Sequence, residues 1–312
     1  MKFLITGGAG CLGSNLIEYF LPQGHEILVI DNFSTGKKEV VPEMPGLKVI
    51  TGSISDTELV NRAFSEFKPT HVIHSAAAYK DPANWIEDSE TNIVGTINVA
   101  KASLEHRVER LINFQTALCY GRPEILPIPV TNPLRPFTSY GISKTAGEAY
   151  LMQSGLPVVS LRLANICGPR LAIGPIPTFY KRLKAGQGCF CSDSVRDFLD
   201  MSDFFELMEI ILGDEETTGV FNVSTGEGNS ILDVFKTVAA YLDMEAPEVP
   251  IVPVGSDDVA QVVLDPRATE IAFGWKARKG FKETIYNQLK WYDEYGVNDI
   301  FSHLAVPSTN KN

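Results

Sequence analysis

The 312-residue sequence has no apolar run long enough to span a bilayer, only five cysteines and five histidines, and fewer basic than acidic residues, which leaves a net charge of −11. Each shortage closes a class of function. No membrane-embedded role is expected. Cys11, Cys119, Cys167, Cys189 and Cys191 are odd in number and lack metal-ligand spacing, so neither a disulfide scaffold nor a zinc site is expected, and the thiols read as reduced. The histidines show no metal spacing either. An acidic balance repels a phosphate backbone, which argues against nucleic-acid binding and obliges any anionic ligand to find local positive groups. Met1-Lys2-Phe3-Leu4-Ile5-Thr6-Gly7-Gly8 begins like a secretory signal, but its apolar run stops short of one. A cytoplasmic location is therefore expected, and the Asn-x-Ser sequons at Asn32 and Asn222 are chance matches.

What is present is a globular composition, with hydrophobic residues at 44% and 25 glycines spread along the chain. Short β-branched runs at Phe3–Ile5, Ile27–Ile30, Val49–Ile50, His71–His74, Leu111–Phe114 and Val158–Leu163 alternate with helical spacing near 12–21, 56–67, 91–106 and 139–153. That alternation predicts an α/β fold, a doubly wound parallel sheet of the Rossmann type over 1–163. Beyond it, turn-rich segments separate helices near 178–185, 201–212, 230–243 and 281–294. A smaller, mixed α/β unit is expected over 164–312, with some segments returning to the first unit and a polar tail from Pro307 to Asn312.

The first strand runs into Thr6-Gly7-Gly8-Ala9-Gly10-Cys11-Leu12-Gly13-Ser14. Gly7 suits a tight turn, Gly10 the close approach of a pyrophosphate, and Gly13 close packing of helix on strand, while the helix from Cys11 aims free amides at the phosphates. A plain glycine-rich turn would explain the glycines alone equally well. The context favours a dinucleotide, because the second strand ends in Asp31, placed to accept hydrogen bonds from an adenosine ribose and to repel a 2′-phosphate. NAD is expected over NADP. Lys37 and Lys38 are in reach of a phosphate in principle but read as a solvated loop.

Ser139-Tyr140-Gly141-Ile142-Ser143-Lys144 opens a predicted helix and places Tyr140 and Lys144 one turn apart on one face. An ammonium beside a phenol favours phenolate, and on this reading the pKa of Tyr140 is lowered toward that of a useful general base. The pair alone is a common surface pattern. Thr116, at the carboxyl end of the strand Leu111–Phe114 extended through Gln115, adds a hydroxyl where α/β sheets place their chemistry. His74, ending its own strand, reads as structural.

Together, Gly7 to Gly13, Asp31-Asn32, His74-Ser75-Ala76-Ala77, Asn92-Ile93-Val94-Gly95-Thr96, Thr116 and Tyr140 to Lys144 resemble the extended short-chain dehydrogenase/reductase family. Within it the chain is similar to the NAD-dependent nucleotide-sugar epimerase/dehydratase group typified by UDP-galactose 4-epimerase. The likeness continues through Leu161 to Asn165, Gly168-Pro169-Arg170, Val195 to Phe198, Phe221 to Gly226 and Phe273-Gly274-Trp275. The resemblance implies an NAD-binding first domain, a substrate domain, and Thr116, Tyr140 and Lys144 as catalytic residues. It places NAD against Gly7, Gly10, Cys11, Leu12, Gly13, Asp31 and Asn32, then Ser34, Gly36, Ser53, Ile54, Ser75, Ala76, Ala77 and Asn92, with Tyr140 and Lys144. It puts Tyr79 and Lys80, after Ala78, along the sugar pocket, and has Asn165 and Arg196 hold the diphosphate of a UDP-linked sugar. A simple Arg196-Asp197 ion pair is the alternative. No metal is implied. A homodimer through a four-helix bundle of the segments 91–106 and 139–153 is implied, as is a place in surface-polysaccharide (O-antigen) biosynthesis.

Departures bear on the reaction. Family dehydratases carry an Asp-Glu pair after the active-site threonine and decarboxylating members a Glu, whereas Thr116 is followed here by Ala117-Leu118. Without that acid or base, C4 epimerisation is the expected activity; dehydration, a keto-sugar reductase and a non-catalytic NAD-binding protein are the alternatives. Ser53 stands where the family has an adenine-contacting Asp, Leu163 where a tyrosine flanks the nicotinamide, and Gln115 where serine is common.

Overall fold

The computed structural model describes residues 1–41, 44–255 and 258–297, so the tail expected from Pro307 lies outside them. Strands β1 (Lys2–Thr6), β2 (Glu26–Asp31), β3 (Leu47–Thr51), β4 (His71–His74), β5 (Arg110–Thr116) and β6 (Val158–Leu163) alternate with helices α1 (Cys11–Phe20), α2 (Thr57–Phe67), α3 (Trp85–Ser89), α4 (Thr96–Glu105) and α5 (Ser139–Gln153). The strands lie in the order β3-β2-β1-β4-β5-β6, all parallel, with Gly219–Val223 added beside β6 as a seventh.

Strand β1 shows why the sheet is covered on both sides. Its side chains alternate, so Phe3 and Ile5 meet Leu16 and Phe20 of α1, while Leu4 faces Val60 and Phe64 of α2. Successive strands are added outward from β1 to β3 on one side and from β4 to β6 on the other, and this switch between β1 and β4 opens a crevice outside the carboxyl ends of these strands.

The strand Gly219–Val223 was not expected: its buried Asn222, which donates to the carbonyls of Ile128 and Asp265, breaks the apolar run. The helix expected over 91–106 begins as a π-helical turn at Glu90–Gly95, where Gly147 of α5 comes so close that a Cβ there would sit 2.4 Å from the Asn92 carbonyl.

Farther along, helix Met201–Gly213 packs on the main sheet, with Phe204 edge-on to Phe114 at 5.5 Å. Helices Pro175–Lys184, Ile231–Tyr241 and Phe281–Tyr295 enclose a separate core around Phe179, Phe235 and Tyr292. Among the described residues no helix is long and apolar enough to cross a membrane.

Candidate active site

A cavity of about 300 Å³ occupies the crevice, and its walls gather most of the residues singled out from sequence. Gly7, Gly10, Cys11 and Leu12 form one end. Gly7 has φ +68°, and a Cβ on it would lie 2.7 Å from the Ala76 backbone, so the turn needs glycine twice over. Gly13 lies behind the wall, where a Cβ would meet the Gly7 carbonyl at 2.5 Å; its role is packing of α1 on the loop. Gly10 caps α1 without any side-chain hydrogen bond, leaving the first amides of the helix to a ligand.

Asp31 is buried at the end of β2, where Oδ2 accepts from the Ala9 amide at 2.8 Å and Oδ1 from the Phe33 amide at 2.7 Å. It thus ties the glycine loop to the sheet, and each oxygen keeps a lone pair for a ribose hydroxyl. Asn32 and Ser34 also line the cavity, Asn32 accepting from the Ser34 amide, while Gly36 stands outside it, pressed against Ala9. Ser53 and Ile54 close the far end. The Ser53 hydroxyl pairs with that of Ser55 at 2.8 Å, so this wall carries a neutral group in place of the family's carboxylate.

Ser75, Ala76, Ala77 and Tyr79 form the wall after β4. Behind it, His74 bonds Thr6 Oγ1 at 2.8 Å and Thr96 Oγ1 at 2.9 Å. Thr96 gives its own hydrogen to the Asn92 carbonyl, so His74 Nε2 donates and Nδ1 accepts. Burial, aided by the charge of Lys144, pushes His74 down to about 3, and it stays neutral. Asn92, expected against the cofactor, does not line the cavity. Its side chain accepts from the Ala78 amide and donates to the Ala78 carbonyl and Ser143 Oγ, pinning the wall to α5.

Thr116, Tyr140 and Lys144 all reach the cavity. Thr138 caps α5 by accepting from the Gly141 amide, and Tyr140 meets the edge of Tyr79 with ring centroids 6.1 Å apart. The expected lowering of the Tyr140 pKa is corrected here. Burial pushes the phenol above its ordinary value, and Tyr79 and Asp88 push it further. Spacing along a helix says nothing of desolvation, which is the largest cause here. Burial also pushes Lys144 down to about 8, opposed by the Glu148 carboxylate one turn on.

Three expected substrate contacts stand apart from this cavity. Lys80 is exposed and Asn165 donates to the Asp197 carbonyl. Arg196 does not pair with Asp197, which accepts instead from Thr225 and Gly226; it grips both oxygens of Asp258 at 2.8 and 2.9 Å. Its positive charge is therefore neutralised by a carboxylate 62 residues away. Conversely, Glu87 and Thr91 line the cavity without having been singled out. The one local signal was Asn84, which caps α3 three residues before Glu87 and sets it beside the site.

Residues 3–224 match the NAD dependent epimerase/dehydratase family. The chain belongs to that family. WbmG of Bordetella bronchiseptica, solved in complex with NAD and UDP, is 68% identical, with 98% of this chain and 99% of that one covered and a TM-score of 0.94. A UDP-glucose 4-epimerase of Thermus thermophilus, solved with NAD, is 34% identical over 95% of this chain and 100% of its own, with a TM-score of 0.84. The UDP-glucose 4-epimerase of Lactobacillus helveticus is 27% identical over 95% of this chain and 98% of its own length. Family membership makes this an NAD-dependent enzyme, and the glycine turn, uncapped α1 and Asp31 make a cradle that fits the cofactor.

Proposed function

We propose that the protein is a cytoplasmic nucleotide-sugar 4-epimerase acting on a UDP-linked sugar in surface-polysaccharide (O-antigen) biosynthesis. The observation that carries this reading is that Thr116, Tyr140 and Lys144 line the same cavity as the dinucleotide loop, with Ala117-Leu118 in place of a dehydratase's acids. The NAD and UDP held by WbmG and the 4-epimerase relatives support it.

When bound, NAD supplies a reversible acceptor for the hydrogen and electron pair of the sugar carbon, and a positively charged ring beside the phenol. In this reading Asp31 holds the adenosine ribose and the amides after Gly10 hold the pyrophosphate. Tyr140 takes the proton from the C4 hydroxyl and later returns it, so no proton is gained or lost over a cycle. Thr116 is already prepared as a donor. Its Oγ1 accepts from the Leu118 amide at 3.1 Å, which leaves the hydroxyl hydrogen for the substrate oxygen. Lys144 keeps a positive charge within the buried site and opposes reprotonation of the phenolate.

Incubation of the purified protein with UDP-glucose or UDP-arabinose, without added NADH, is expected to yield equilibrium mixtures of C4 epimers with no net change in NADH absorbance. Stoichiometric oxidation or formation of NADH would establish a keto-sugar reductase instead.

The homodimer is part of the same proposal. Leu104 on α4 and Ile142 and Tyr150 on α5 are 44%, 51% and 54% exposed, an apolar surface suited to a second copy. Sedimentation is expected to give a dimer, and Leu104→Asp with Ile142→Asp a monomer.

A further inference from the structure

Gln115 is buried between the Thr116 strand end and α5, and both ends of its carboxamide are engaged. Nε2 donates to the Lys144 carbonyl at 2.9 Å, and Oε1 accepts from the Thr116 amide at 2.7 Å. The Lys144 carbonyl lies mid-helix, where the amide four residues on already satisfies it, so the second donor is not there to rescue an orphaned acceptor. Thr116 is held at its amide by Gln115 and at Oγ1 by Leu118. A single planar group therefore sets the separation between the threonine and the helix that carries the phenol and the ammonium.

We propose that Gln115 is a positioning residue: its carboxamide is a strut that fixes the Thr116 hydroxyl against the Tyr140 and Lys144 helix. Serine, the residue common here in the resembling family, is too short to make both contacts. The inference rests on the epimerase reading for its kinetic consequence, but the strut itself can be tested without a substrate.

Two variants separate positioning from filling. Gln115→Leu keeps most of the volume and removes both hydrogen bonds. Gln115 also lines the cavity, so bound NAD is measured alongside: in the NAD-loaded protein kcat is expected to fall on the order of tenfold to a hundredfold with NAD retained, because a misplacement of reacting groups of about 1 Å costs up to that much, and the melting temperature to fall slightly, because the Thr116 amide loses its acceptor. Gln115→Glu offers a sharper readout. Its ionised carboxylate still accepts from the Thr116 amide but repels the Lys144 carbonyl; once protonated, its hydroxyl replaces the lost donor. The ratio of variant to parent amide exchange at 116–118 is therefore expected to fall toward one as the pH falls, a readout of the strut that the effect of the new charge on the titration of Tyr140 and Lys144 does not enter.

Amide hydrogen exchange of the NAD-loaded proteins, read on peptides covering 116–118, is expected to be faster in Gln115→Leu, whose Thr116 amide has lost its acceptor. This holds even if the parent interconverts no UDP-sugar, which would refute the epimerase reading alone. Retention of kcat within twofold together with unchanged exchange in Gln115→Leu, or a ratio for Gln115→Glu that is flat with pH, overturns the proposal. Should Gln115→Leu fail to fold, the pH dependence of Gln115→Glu decides.

Discussion

Tyr140→Phe is expected to lower C4 interconversion on the order of 10³-fold while leaving bound NAD unchanged. The substitution removes one oxygen and keeps the ring that meets Tyr79, so the cavity wall survives and only proton transfer is lost. The pH dependence of the parent tests the same group. The active form needs Tyr140 ionised and Lys144 protonated. Burial holds the phenol above its ordinary value and brings the ammonium to about 8. Below that value Lys144 keeps its proton, and the rate climbs about tenfold per pH unit as phenolate accumulates. Above it, Lys144 loses protons as fast as Tyr140 does, and the profile goes flat. Lys144→Met is expected to lower the rate and to erase the break, because no ammonium remains to titrate. A break that persists in that variant would remove Lys144 from the mechanism.

The correction at Tyr140 shows where reading from sequence stops. The glycine turn and Asp31 were legible because their constraints are local: a positive φ at Gly7, a carboxylate at the end of the next strand. The Tyr140 to Lys144 spacing was legible for the same reason, one helical turn. What was not legible depends on partners remote in sequence. Arg196 reads as a diphosphate ligand, or as a partner of Asp197, until the fold brings Asp258 to it, and Asn92 reads as a cofactor ligand until Ala78 and Ser143 occupy its amide. Glu87 and Thr91 belong to no motif and enter the cavity through the placement of α3 and of the π-helical turn that follows it. Seven parallel strands were built from six visible ones, because Asn222 interrupts the apolar pattern of the last to hold a loop and a tyrosine.

That tyrosine belongs to the buried network from which the largest loss of stability is expected. Arg162 and Glu148 are both almost inaccessible, and Arg162 Nη2 lies 2.6 Å from Glu148 Oε2. Ser160 donates to Glu148 Oε1 at 2.6 Å, Arg162 Nη1 donates to the Tyr120 hydroxyl at 2.9 Å, and Tyr120 passes its own hydrogen to Asn222 at 2.6 Å. α5, β5, β6 and the strand Gly219–Val223 are thereby joined, since Asn113 of β5 donates to Ser160. Arg162→Leu leaves the Glu148 carboxylate buried without its cation and is expected to cost about 3–5 kcal/mol, read from the midpoint of denaturant unfolding. The double variant Arg162→Leu, Glu148→Leu removes both charges and is expected to recover much of that loss, since the penalty comes from the stranded charge more than from the missing pair. Activity should not recover with it. Glu148 opposes the effect of burial on Lys144, so any variant without that carboxylate is expected to move the break in the pH profile below its parent value, even where the fold is restored. Recovery of stability with an unmoved break would show that Glu148 serves the core alone.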